Sequence, residues 1–255
     1  MSALDYLNRI QGIVEEIKTK EMTKIEKAGM LMAESIGKEG RVYMFGSGHS
    51  VIPVLDIFPR YGSFIGFFPL YDPRLMWFNV IGPGGARELL WLERQEGYAE
   101  VFLQSYPLEP RDCMLVFSHG GLNTVPIEVA LKAKDIGLKV ISVSSLKNAD
   151  RAKRTHPSGK ILPDIADIAI DNRVPPEDAL VDVGQLEKVA AGSTVAAVSI
   201  AMALVAETAA NLRAAGKMTP TFVSPNVEGV EKGHMQKVYQ AFTEFYHRRP
   251  MKREI

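Results

Sequence analysis

Two short runs of the chain gather hydroxyls, glycines and a histidine in a pattern suited to an anionic ligand. The first is Gly46-Ser47-Gly48-His49-Ser50, and the second is Ser118-His119-Gly120-Gly121-Leu122-Asn123-Thr124. Each follows an apolar stretch, Val42–Phe45 and Cys113–Phe117, and each leads into a helix-compatible segment. Glycine lets the backbone turn sharply and lets a ligand approach the main chain. Amides at a helix N-terminus, joined by nearby hydroxyls, favour an anion such as phosphate. An empty strand-to-helix turn uses the same residue types, so one loop alone is weakly specific. The recurrence of the pattern carries more weight than either copy.

Such loops must be held by strands and helices. Residues 2–38 contain no proline and place Leu4, Leu7, Ile10, Val14 and Ile17, then Met22, Ile25, Met32 and Ile36, at helical spacing. A straight helix of that length would span roughly 55 Å, more than a small domain. Either it breaks near Lys18–Lys24, or its first half reaches a second subunit. Val51–Arg60 begins as a helix with Pro53 in its first turn, and Pro59 ends or kinks it. Phe64–Phe68 predicts a second strand, followed by an irregular stretch from Pro69 to Gly85 long enough to cover a site. Within it, Gly82-Pro83-Gly84-Gly85 either cradles an anion or turns into the helix predicted over Ala86–Leu103.

Cys113–Phe117 predicts the third strand, and Val125–Ile136 the helix after it, with Gly137 as its stop and Asn123 or Thr124 as its cap. The fourth strand is expected at Lys139–Val143, ending in Ser144-Ser145, and the fifth at Ile168–Ile170, closing at Asp171. Helices over Ser193–Ala215 and Val230–Tyr246 complete the pattern. Strands alternating with helices call for an α/β fold, a parallel sheet covered on both faces. Right-handed crossovers with strand order 2-1-3-4-5 set strands one and three side by side, so both loops face one crevice at the switch point. With no clean linker or low-complexity segment, residues 1–255 read as a single domain.

Thirty basic and thirty acidic residues cancel, which argues against nucleic acid or an anionic membrane as partner. The lone cysteine, Cys113, lies in an apolar run, so disulfide support is absent and a reducing, cytoplasmic setting is expected. The N-terminus has no signal-peptide core. Val189–Ala206 lacks charge and sits at the edge of the membrane-span range. Its small residues and the flanking Glu187 and Glu207 favour a buried helix instead.

The first strand with GSGHS, and DCMLVFSHGGLN followed by PIEVALKAKDIGLKVISVSS, resemble the sugar isomerase (SIS) domain. HPSGKILPDIADIAIDN and the helix start at Ser193-Thr194 resemble the UPF0309 branch of that family. The likeness runs from about Arg41 to Asn226. It implies a flavodoxin-like five-stranded sheet, recognition of a sugar phosphate, and a homodimer or homotetramer in which the N-terminal helix packs across subunits. Ser47 and Ser50 match the polar positions of the family's first loop, and Ser118 the first serine of the second. Gly120 replaces that loop's other serine, His119 fills its variable place, and Asn123 stands where threonine is common. Ser144 and Ser145 end the strand that lines the sugar site in the family. Ser193 and Thr194 either touch the ligand or cap their helix.

Aldose–ketose isomerisation needs a base to move a proton between adjacent carbons and a group to stabilise the enediolate. In the isomerases this chain resembles, a carboxylate on the helix after the first loop often serves, and here Asp56 is the acid at that place. Burial beside Leu55, Ile57 and Phe58 would raise its pKa toward the working range. Glu93 and Glu96 are the alternatives, and His49, His156 and His234 are candidate acids for ring opening. The histidines lack metal-ligand spacing, so neither metal nor other cofactor is expected. Besides isomerisation, two other readings stay open: an amino-sugar phosphate lyase, and a sensor that binds sugar phosphate without turnover.

Overall fold

The computed structural model describes residues 2–76, 85–151 and 153–249. Its N-terminal segment is two helices, α1 (Ser2–Lys20) and α2 (Met22–Gly37). The break falls at Glu21, inside the expected interval, and a buried contact explains it. The Glu21 carboxylate, fully buried, accepts the backbone N–H of Asp171 at 3.1 Å and pairs with Arg173 and Lys24. One acid therefore ties both helices to the carboxyl end of the fifth strand.

Strand β1 (Val42–Gly46) leads into α3 (Val51–Ile57), β2 (Phe67–Pro69), a 3-10 turn at Pro73–Leu75, α4 (Gly85–Leu92) and α5 (Tyr98–Leu103). The second half holds β3 (Cys113–Phe117), α6 (Thr124–Ile136), β4 (Lys139–Ser144), α7 (Leu146–Ala149), α8 (Leu162–Ile165) and β5 (Ile168–Asp171). A hairpin, β6 (Ala179–Val181) and β7 (Val189–Ala191), precedes α9 (Ser193–Ala214) and α10 (His234–His247). The main sheet is parallel throughout, in the order β2-β1-β3-β4-β5. That is the α/β topology expected from the alternating pattern. Two groups of helices pack against it, α2, α3 and α9 in one and α5, α6 and α8 in the other. All of β1 and β3 is buried, as parallel strands covered on two faces require.

At the amino edge of the sheet, charge holds the C-terminal helix down. Arg41 lies between the rings of Phe68 and Phe245, 4.9 and 5.1 Å from their centroids, and donates to the carbonyl of Phe245 at 2.9 Å. Beside it, the buried Asp112 carboxylate accepts the Arg41 backbone N–H at 2.8 Å and both terminal nitrogens of Arg249, at 2.8 and 2.7 Å. Removing one partner of such a buried pair costs about 3–5 kcal/mol, because the other is left uncompensated.

Several boundaries differ from expectation. The helix expected over Ala86–Leu103 is two, divided where Gly97 takes a left-handed φ of 78°. The second strand begins at Phe67, while Phe64 bridges antiparallel to Thr221. The uncharged run from Val189 opens as β7, and its helix starts only at Ser193. The last helix begins at His234, after Gly233, rather than at Val230. Helix α1 folds back onto α9 and β6, burying Ile13 and Ile17 and leaving Leu4, Leu7 and Val14 exposed. Among the described residues, α9 is the one helix long and apolar enough to cross a membrane. It packs on α2 and α3 through Ile200, Leu204 and their buried neighbours. Of the Gly82–Gly85 segment, the first three residues lie outside the described residues, and Gly85 opens α4.

Candidate functional site

Register brings the two loops together. Gly46 pairs with Phe117, so β1 and β3 end level and their loops leave the sheet side by side. The first loop needs its glycines. A Cβ on Gly46 would stand 2.1 Å from the Ser50 carbonyl oxygen, and Gly48 has a φ of 59°. The Gly48 N–H donates to Leu75 O at 2.9 Å, tying the loop to the 3-10 turn. In the second loop the Ser118 hydroxyl accepts the Gly121 N–H at 3.2 Å. Asn123 stands at the N-cap of α6 with its side chain making no capping bond. The Gly120 carbonyl accepts from Asn148 and the Gly121 carbonyl from Leu162, which fix the loop from outside.

Between the loops runs a narrow crevice, with a cavity volume of about 10 Å³, lined by His49 and Ser50, by Ser118 and His119, and by Ser193 and Thr194 at the start of α9. Asn172, one residue past β5, completes the wall. Two polar atoms at this edge are buried without a hydrogen-bond partner among the described residues, His119 Nε2 and Ser144 Oγ. Other hydroxyls expected here are committed elsewhere. Ser145 donates to the Val174 carbonyl at 2.7 Å and caps α7. Ser193 donates to Asp178 at 2.8 Å, and Asp178 also accepts the Gly192 and Ser193 amides, so the N-terminus of α9 already holds a carboxylate.

The three candidate bases part company. Asp56 is not buried among apolar side chains: Leu55 is exposed, and Asp56 is paired with Arg60, which lies just past the end of α3. Glu96 lies exposed in the turn before α5. Glu93, only 5% exposed, accepts the Ser47 hydroxyl at 2.8 Å, while its own carbonyl accepts the Val125 N–H at 3.0 Å. It therefore touches both loop regions. The other buried carboxylates among the described residues, Glu21, Asp72, Asp112 and Asp171, each pair with a cation. Glu93 makes no ion pair among these residues, and burial pushes its carboxyl above the usual carboxylate range, against the Ser47 hydrogen bond and the Arg94 charge.

The histidines also separate. His49 stands at the crevice, where partial burial holds its imidazole below the ordinary value, opposed by the Asp178 charge. His234 bonds the Thr221 carbonyl at 2.8 Å and is not among the crevice residues. His156 lies half-buried in its own turn, bonded to Ser158 and away from the crevice. Cys113 is buried, its thiol pushed up to about 12, and is chemically quiet. Sequence reasoning missed Asn172 and Asp178. The rule that ligands meet the carboxyl ends of parallel strands would have flagged Asn172. Asp178 depends on a hairpin whose short strands leave no alternating signature.

The family profile described as "SIS domain" matches residues 5–145. A UPF0309 protein of Halalkalibacterium halodurans is 32% identical over 232 residues, covering 90% of this chain and 93% of that one. Among solved structures, a phosphoheptose isomerase from Francisella tularensis aligns at 17% identity with a TM-score of 0.50, covering 82% of this chain and 98% of that one. The phosphoheptose isomerase of Neisseria gonorrhoeae aligns at 12% identity with a TM-score of 0.53, covering 81% and 97%. At these identities the two structures speak to the fold.

The Glu93 environment sets a pH dependence. An acid whose pKa is raised by folding contributes stability below its unfolded pKa and loses it as pH rises through the folded value. Glu93→Gln, neutral at every pH, escapes that loss. Urea unfolding at about pH 4 and at neutral pH should show the Gln variant gaining on the wild type as pH rises. Parallel profiles would mean that the carboxyl is not held in its neutral form.

Proposed function

The chain belongs to the SIS-domain family, within its UPF0309 group, and on that premise we propose that it is a sugar-phosphate isomerase. The observation that carries the reading is Glu93, a buried carboxylate that makes no ion pair among the described residues, hydrogen-bonded to one anion loop and anchored by its backbone beyond the other. The phosphate lies between Ser47–Ser50 and Ser118–Asn123, held by loop amides and hydroxyls. Glu93 takes the proton from the carbon next to the carbonyl; that C–H bond breaks as the enediolate forms. The same carboxyl returns the proton to the former carbonyl carbon, while the hydroxyl proton passes from the neighbouring oxygen to the former carbonyl oxygen, so no atom is gained or lost. Ser47 orients the carboxylate, and its hydrogen bond keeps Glu93 from becoming too strong a base. His49, at the crevice, hands a proton to the ring oxygen when the cyclic sugar opens.

This reading departs from Asp56 because a base must be free to take a proton, and Arg60 holds that carboxylate on the outer side of α3. The same reading carries a homodimer or homotetramer, with the exposed Leu4, Leu7 and Val14 of α1 in the interface. Sedimentation at micromolar concentration should then report a dimer or tetramer; a monomer would contradict that assembly.

Catalysis is tested with pentose, hexose, amino-hexose and heptose phosphates, screened by calorimetry and then followed by proton NMR in deuterated water. At least one binder should exchange its C2 proton for deuterium and interconvert aldose with ketose. Glu93→Gln should still bind it but exchange about 10²–10⁴-fold more slowly, while Asp56→Asn keeps its rate. Binding without exchange in the wild type would make the protein a sensor. Undiminished exchange in Glu93→Gln would move the base elsewhere.

A further inference from the structure

His119 and Asn172 meet at the crevice in an arrangement with one chemical solution. Asn172 is 2% exposed, and its backbone N–H donates to the Ser144 carbonyl at 2.9 Å. Its side-chain oxygen accepts the Val174 N–H at 3.0 Å. A backbone N–H can only donate, so the amide oxygen is fixed on that side and the amide nitrogen must face His119. That nitrogen lies 3.1 Å from His119 Nδ1. An amide NH₂ can only donate, so Nδ1 must be the bare, accepting nitrogen. In the neutral ring the proton then sits on Nε2, because the bond made by one nitrogen sets the state of the other. Nε2 is buried and meets no acceptor among the described residues. The backbone of His119 is equally constrained, its carbonyl accepting the Ser145 N–H at 2.8 Å.

A buried N–H without a partner is uncommon in a folded protein and marks a place where an acceptor belongs. Here His119 lines the crevice between the two loops, and the ligand supplies the oxygen. We propose that Asn172 is a positioning residue that locks His119 in its Nε2–H form, so that the imidazole donates a hydrogen bond to an oxygen of the bound sugar phosphate. This rests on the functional reading given above. The device selects for ligands that present an acceptor at that point, and it works without a positive charge on the ring. It also gives the N-terminal helices a part in the site. Glu21 at the α1–α2 break accepts the Asp171 N–H and pairs with Arg173, gripping the chain on either side of Asn172.

Nitrogen-15 NMR of the imidazoles tests the tautomer in the unliganded protein. His119 should show an unprotonated Nδ1 and a protonated Nε2. Asn172→Asp offers only acceptors, so Nδ1 should gain a proton while the fold persists. Calorimetry with the tightest-binding sugar phosphate of the panel above tests the ligand contact. Asn172→Asp and His119→Leu should each weaken it roughly tenfold or more, and His119→Gln, which keeps an N–H donor, should retain most of the affinity. A wild-type ring protonated on Nδ1 would overturn the proposal. Affinity unchanged in both Asn172→Asp and His119→Leu would overturn it alone, leaving the functional reading intact. Failure of the wild type to bind any sugar phosphate would defeat that reading and this proposal with it.

Discussion

The parallel pairing of β1 with β3 sets what every other part of the site can do. Because Gly46 stands opposite Phe117, the two strands stop at the same height and both loops open on one side. Both strands are buried along their whole length, so a one-residue slip would have to repack the core on both faces of the sheet. The chain reverses its direction of growth across the sheet between these two strands, and the resulting gap cannot be filled by either crossover helix. Ligand binding at that gap needs no separate scaffold. Glu93, reaching one loop with its side chain and the segment after the other with its backbone, depends on the same level ending.

Charge burial divides the molecule into parts that hold and one part that waits. Asp112 with Arg249 fixes the last helix, Glu21 with Arg173 fixes the first two, and Asp72 with Arg74 fixes the turn beneath the first loop. In each, a cation offsets the cost of removing a carboxylate from water. Glu93 accepts the Ser47 hydroxyl and makes no ion pair among the described residues, and burial pushes its carboxyl above the usual carboxylate range. A carboxyl set up in this way releases and takes a proton nearer neutrality, as the acid–base groups of active sites commonly do.

Much of this was legible before any coordinates. Apolar runs ending in glycine and serine located β1 and β3, and the alternation of strands with helices led to the sheet order. Ser118, His119 and Asn123 could be named from the second loop alone. What escaped depends on pairings between distant segments. The expected burial of Asp56 failed because position along a helix says nothing of which face the residue occupies, or that Arg60 waits one turn on. Glu93 was visible as an acid, but its contact with Ser47 spans 46 positions in the chain. Asn172 and Asp178 follow from strand ends and a hairpin with little periodic signal, and the break at Glu21 from a contact 150 residues away.

The central claim is that one anion site is formed jointly by the two loops, and a crystal structure with a bound sugar phosphate tests it most directly. The account predicts the phosphate between Ser47–Ser50 and Ser118–Asn123, with the sugar carbons turned toward Glu93 and an oxygen against His119 Nε2. A sugar phosphate seated elsewhere would contradict it, for instance in the aromatic hollow formed by Phe58, Tyr71, Tyr106 and Tyr246.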